Sequence, residues 1–161
     1  MDLHGIALTT LGGRSTTFDA YAHQVVLVVN VASRCGFTSQ YAQLEALQQR
    51  YGDRGFSVLG FPSNQFLQEL GSAASIAEFC STTYGVTFPM FEKVTVNGRR
   101  RHPLYAALAA VPDGSGAAGK VRWNFEKFLV TPAGQARRFR SNVAPDDPEL
   151  VALLEAGLPA A

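Results

Sequence analysis

The chain has 161 residues, of which 47% are hydrophobic and 17% charged, and a formal net charge of +1. This length suits one domain spanning residues 1–161, and a domain of that size buries roughly 70% of its unfolded surface. The composition excludes a disordered chain, and the balanced charge provides no overall field to hold nucleic acid or an anionic membrane. The basic clusters Arg99-Arg100-Arg101 and Arg137-Arg138 read as solvated loop ends. The first residues, Met1-Asp2-Leu3-His4-Gly5, show no basic region leading into an apolar run. No apolar run approaches the roughly 18 residues that a membrane span requires. The expectation is a cytoplasmic protein without membrane insertion. Two cysteines, Cys35 and Cys80, cannot make a disulfide scaffold, and His4, His23 and His102 are scattered without metal-ligand spacing.

In chain order, residues 6–8 and 15–18 flank a Gly-Gly turn and predict a β-hairpin. Residues 24–31 form a nearly continuous apolar run of strand length, as in a strand covered on both faces. After Cys35-Gly36-Phe37, Thr38 is the expected helix N-cap. Tyr41, Leu44, Leu47 and Tyr51 then keep helical spacing up to Gly52. Residues 56–61 predict a second buried strand stopped by Pro62, which completes a β-α-β unit. A polar loop at 63–72 leads to a helix at 76–84 that carries Cys80. Residues 88–91 and 94–98 suggest a strand running to a turn, and 102–110 a short helix with Pro103 in its first turn. A Gly- and Ala-rich loop at 112–119 precedes a second hairpin, residues 125–130 and 135–139 around Thr131-Pro132-Ala133-Gly134. A terminal helix is expected at 148–158. This order predicts an α/β, thioredoxin-like fold: a central mixed sheet flanked by helices, with an N-terminal β-hairpin.

Cys35 lies between a strand end and the start of a predicted helix, where unpaired N–H groups and the helix dipole favour a thiolate. Ionisation alone does not make a fast enzyme. Lowering a thiol pKa from about 8.5 to about 6 raises the thiolate fraction at pH 7 about thirtyfold. The accompanying loss of nucleophilicity gives back roughly tenfold. Donors that stabilise charge in the transition state must supply the rest. Two stretches offer neutral donors: Asn64-Gln65-Phe66-Leu67-Gln68 after the second strand, and Trp123-Asn124 before the 125–130 strand.

Several of these stretches together carry a resemblance. Asn30-Val31-Ala32-Ser33-Arg34-Cys35-Gly36-Phe37-Thr38, Gly60-Phe61-Pro62-Ser63-Asn64-Gln65-Phe66 and Trp123-Asn124-Phe125-Glu126-Lys127-Phe128-Leu129-Val130 resemble the signature segments of the glutathione peroxidase family. Phe88-Pro89-Met90-Phe91-Glu92-Lys93 and Val96-Asn97-Gly98 also fit, so the match runs along almost the whole chain. The resemblance implies a thioredoxin-like fold and peroxide reduction at a tetrad of Cys35, Gln68, Trp123 and Asn124, with no cofactor. Cys35 would attack the O–O bond and become a sulfenic acid. Cys80 matches the resolving cysteine of two-cysteine members. Its role there implies an intramolecular disulfide with Cys35, reduced by thioredoxin rather than glutathione, and local unwinding of its helix.

The chain departs from the family pattern in three ways. Ser63 stands where many members carry a further cysteine. The Leu67-Gln68-Glu69-Leu70-Gly71 loop is one residue short, with Leu70 for a usual proline, which leaves Gln65 as the substitute for Gln68. The segment 106–122 lacks the insertion of tetrameric members, so a monomer is expected, with a site open to lipid-like hydroperoxides. A peroxide sensor that passes its disulfide to a partner protein would use the same residues. A thiol–disulfide oxidoreductase would need a second cysteine where Thr38 stands, and no histidine lies near a signature stretch to serve a Cys–His hydrolase.

Overall fold

The computed structural model describes residues 1–160. Strands β1 (Ala7–Thr9) and β2 (Ser15–Thr17) form the N-terminal hairpin. The central sheet holds β3 (Val25–Val31), β4 (Phe56–Pro62), β5 (Lys127–Val130) and β6 (Ala136–Phe139) in the order β4-β3-β5-β6. β3 and β4 are parallel, joined through helix α1 (Gln40–Tyr51), whereas β3–β5 and β5–β6 are antiparallel. The remaining α-helices are α2 (Ala73–Phe79), α3 (Pro103–Leu108) and α4 (Pro148–Gly157). With helices on both faces of a mixed sheet, the arrangement is thioredoxin-like, as expected.

The period-2 alternation of the strands divides the core into two layers. Val25, Leu27, Val29 and Val31 of β3 pack with Tyr41, Leu44, Leu47 and Tyr51 of α1, Ile76 of α2, and Leu150 and Leu154 of α4. Val26 and Val28 face the other way, against Leu8, Phe18, Leu104, Tyr105 and Leu108. A strand buried on both faces calls for apolar residues on both, which explains the near-continuous apolar run in β3, interrupted by Asn30.

Local departures from the expected elements have identifiable causes. Residues 88–91 make only single bridges, Gly60 to Met90 and Thr10 to Phe91, and 94–98 is not a strand. Pro89 has no N–H to extend a ladder, but its carbonyl accepts the Gly60 N–H at 2.9 Å, and Phe91 N–H returns to the Gly60 carbonyl at 2.9 Å. Gly60 permits this crossing, because a Cβ there would lie 2.5 Å from the Met90 sulfur. β5 begins at Lys127 rather than residue 125, since Phe125 has φ 62° and breaks the extended strand. α2 begins at Ala73, capped by the Ser72 hydroxyl, which accepts the Ser75 N–H at 3.1 Å. It gives way at Cys80 to a π-helical turn, Cys80–Tyr84.

Arg138 corrects the reading of the 137–138 pair as solvated. It is buried, bound to the buried Glu126 carboxylate, and donates to the carbonyls of Val111, Gly119 and Lys120. No helix among the described residues is long and apolar enough to cross a membrane.

Candidate active site

β3 ends in the turn Ala32-Ser33-Arg34-Cys35, and Thr38 braces it. The Thr38 hydroxyl accepts the Cys35 N–H at 2.9 Å and donates to the Ala32 carbonyl at 3.0 Å. Thr38 is therefore not the expected N-cap; α1 starts two residues later, at Gln40. The donor facing the Cys35 sulfur is the Phe37 N–H, at 3.4 Å, within the turn itself. Cys35 is 8% exposed and belongs to the core layer that contains α1.

The loop after β4 is tied to this turn twice. The Arg34 N–H donates to the Gln68 carbonyl at 2.9 Å. Glu69 is buried, and its Oε1 accepts the Ser33 hydroxyl, the Ser33 N–H at 3.0 Å and the Leu70 N–H at 2.8 Å. Burial pushes the Glu69 carboxyl up, with these bonds opposing. Within this loop Leu67 has a φ of 59°, which reverses the chain, while its side chain stays 85% exposed.

The Gln68 side chain then meets the third stretch: Asn124 Nδ2 donates to Gln68 Oε1 at 3.0 Å. Gln65 is engaged elsewhere, its Oε1 accepting the Val96 and Asn97 N–H groups at 3.3 and 3.4 Å. Trp123 is half-buried against the Cys35 layer, its ring 5.1 Å from that of Phe66. Its carbonyl accepts Asn30 Nδ2 at 3.1 Å. Gln68, Trp123 and Asn124 are thus drawn from two distant loops to the end of β3 that carries Cys35. The arrangement brings the Gln68–Asn124 amide pair to the turn that carries the thiol, through the Arg34 N–H bonded to the Gln68 carbonyl.

Cys80 heads the π turn, is buried, and shares the core layer of Cys35; both cysteines are free thiols. Burial pushes the Cys80 thiol up; the neighbouring Tyr41 hydroxyl opposes this and the Glu69 charge adds to it. Tyr41 is itself buried, stacked on Tyr84 at 5.4 Å, and its hydroxyl has no complete hydrogen bond. Among the described residues, no group of three potential metal-binding side chains comes together.

Asn30, Glu69 and Lys127 are site neighbours that inspection of the sequence did not single out. Asn30 and Lys127 carried a signal, each being a polar residue inside an apolar strand run.

The model of the family described as glutathione peroxidase matches residues 3–109. The chain is 47% identical over 152 residues to the hydroperoxy fatty acid reductase gpx1 of Synechocystis, with 90% of each chain covered. It is 48% identical over 159 residues to the thioredoxin/glutathione peroxidase BtuE of Escherichia coli, covering 86% of this chain and 87% of that one. Among solved structures, it is similar to Trgpx in apo form, with a TM-score of 0.74, 34% identity and 99% of each chain covered. The thiol:disulfide interchange protein of the thioredoxin family from Chlorobium tepidum has a TM-score of 0.69 at 15% identity, covering 95% of this chain and 92% of that one, a likeness of fold alone.

Proposed function

The chain belongs to the glutathione peroxidase family and is a peroxidase, and from that premise we propose that it reduces hydrogen peroxide and organic or lipid hydroperoxides through Cys35. The observation that carries this reading is the junction of three stretches: Asn124 bonded to Gln68 at 3.0 Å, and the Gln68 carbonyl bonded at 2.9 Å to the residue before Cys35. The Cys35 thiolate attacks the nearer peroxide oxygen, the O–O bond breaks, and the leaving oxygen takes a proton to depart as water or an alcohol. Cys35 is left as a sulfenic acid. The amide donors and the Trp123 indole N–H stabilise the charge that develops on the leaving oxygen.

Cys80 resolves the sulfenic acid. Its sulfur attacks the Cys35 sulfur, the S–O bond breaks, and the thiol proton leaves with the hydroxide as water. The product is an intramolecular disulfide, which a thioredoxin dithiol reduces. Bridging requires Cα atoms within about 7 Å. The π turn beginning at Cys80 supports local unwinding as the route. Unwinding also exposes a thiol whose ionisation burial suppresses, so the same motion brings Cys80 in and lets it lose its proton. The two core layers share one sheet, which supports one peroxidase domain over the chain. The short 106–122 segment supports a monomer, and sedimentation at micromolar concentration tests it.

NADPH-coupled turnover with thioredoxin and with glutathione tests the scheme. Wild type turns over faster with thioredoxin. Cys35→Ser is inactive with both reductants. Cys80→Ser loses thioredoxin turnover yet consumes one equivalent of peroxide. Full activity of Cys35→Ser removes the reading altogether.

A further inference from the structure

Lys127 is fully buried in the sheet, and among the described residues no carboxylate forms an ion pair with it. Its Nζ donates to the Phe125 carbonyl, and at 3.4 Å to that of Ser141. Burial pulls its pKa from 10.5 to about 7, with the Glu126 charge opposing. Desolvating an ammonium without a counter-ion opposes folding, and an apolar side chain of similar length would avoid the penalty. Simple packing therefore does not explain a lysine here.

What the lysine holds is the backbone around Asn124. Phe125 is in the left-handed region at φ 62°, a conformation that non-glycine residues keep only when their surroundings enforce it. Three bonds enforce it. Asn30 Nδ2 holds the Trp123 carbonyl at 3.1 Å, the Asn30 carbonyl holds the Phe125 N–H at 2.6 Å, and Lys127 Nζ holds the Phe125 carbonyl. The peptide groups on either side of Asn124 are thus clamped by β3 and β5. Both the ammonium and the neutral amine have N–H donors, so the clamp survives loss of the proton.

We infer that Lys127, together with Asn30, is a positioning residue for the peroxide step, clamping Trp123-Asn124-Phe125 so that Asn124 meets Gln68 beside Cys35. This rests on the reading of Trp123 and Asn124 as transition-state donors. Misplacing such donors by about 1 Å is enough to cost orders of magnitude in rate.

The test is the second-order rate of Cys35 oxidation by hydrogen peroxide, measured by quenched peroxide consumption in a Cys80→Ser background. Lys127→Met, Lys127→Gln, Asn30→Leu, Trp123→Phe and Asn124→Ala are compared. Lys127→Met slows the reaction tenfold or more and shifts the emission of Trp123, the single tryptophan. Its rate of Cys35 alkylation by iodoacetamide stays within about twofold of the parent. Lys127→Gln, which keeps a donor without charge, recovers part of the rate. Asn30→Leu, which lacks the donor to Trp123, repeats the loss by a separate route and supplies the test if Lys127→Met does not fold.

Parental rates in the Lys127 and Asn30 variants, alongside slow Trp123→Phe and Asn124→Ala, overturn the clamp and leave the donor reading intact. Parental rates in Trp123→Phe and Asn124→Ala overturn the donor reading itself. Alkylation that slows in step with peroxide also overturns the clamp, because Lys127 would then act through the thiol.

Discussion

Lys127 ties stability to pH at the level of a single side chain. In the unfolded chain a lysine keeps its proton to about pH 10, whereas burial brings Lys127 down to about 7. Between those values the unfolded state binds more protons, so stability rises with pH, by up to about 1.4 kcal/mol per unit. Cys80, shifted upward by burial, offsets the climb above about pH 9, and Tyr41 and Tyr105, shifted the same way, reverse it above about pH 10. Chemical denaturation of the reduced protein at pH 6 to 9 reads this directly: the wild-type curve climbs between about pH 7 and 9, and Lys127→Met removes that climb. Equal slopes in the two proteins would show that Lys127 does not titrate in this window. At this scale the candidate reactive groups stand out in the sequence and their supports do not. Cys35 and Trp123-Asn124 stand in recognisable segments, but nothing adjacent to Thr38 shows that its hydroxyl braces Cys35 rather than capping a helix.

Among the elements, α2 and the π turn carry the proposed resolution step, because Cys80 stands where one gives way to the other. α2 has seven residues, too few to be stable without tertiary contacts, and Ser72 supplies its N-cap at 3.1 Å to Ser75 N–H. Replacing Ser72 by alanine weakens the helix by about 1 kcal/mol. If opening of this helix precedes resolution, its open population grows about fivefold. Disulfide formation after one equivalent of peroxide then speeds up by a similar factor while Cys35 oxidation is unchanged. Rapid-quench thiol counting separates the two steps, and an unchanged disulfide rate would place α2 outside the opening unit. The pattern over 76–84 suits a single helix, because a π turn has no residue signature; the structure divides it at Cys80, where α2 ends and the π turn begins.

On the scale of the whole molecule, buried charges join the sheet to its crossing loops. Glu126 accepts Arg138 Nε at 2.9 Å and an Arg140 guanidinium nitrogen at 2.8 Å, and Arg138 in turn fastens the 111–120 segment through three carbonyls. Glu126→Gln leaves Arg138 buried without its counter-charge and destabilises the fold by about 3–5 kcal/mol. A lower urea midpoint at unchanged slope would report this as lost stability, and a midpoint within experimental scatter would refute it. The sequence by itself determined the order of elements, the two-sided burial of β3 and the identity of the thiols, because periodicity and turn residues act within a few positions of one another. Only the tertiary structure decided which glutamine joins Asn124, how the loop after β4 is fastened to the turn before Cys35, and that Lys127 and Arg138 lie inside. Those outcomes depend on the left-handed turn at Leu67 and on carbonyls, Ser141 for Lys127 and Gly119 for Arg138, that the fold brings to these buried cations, and no local pattern encodes such partners.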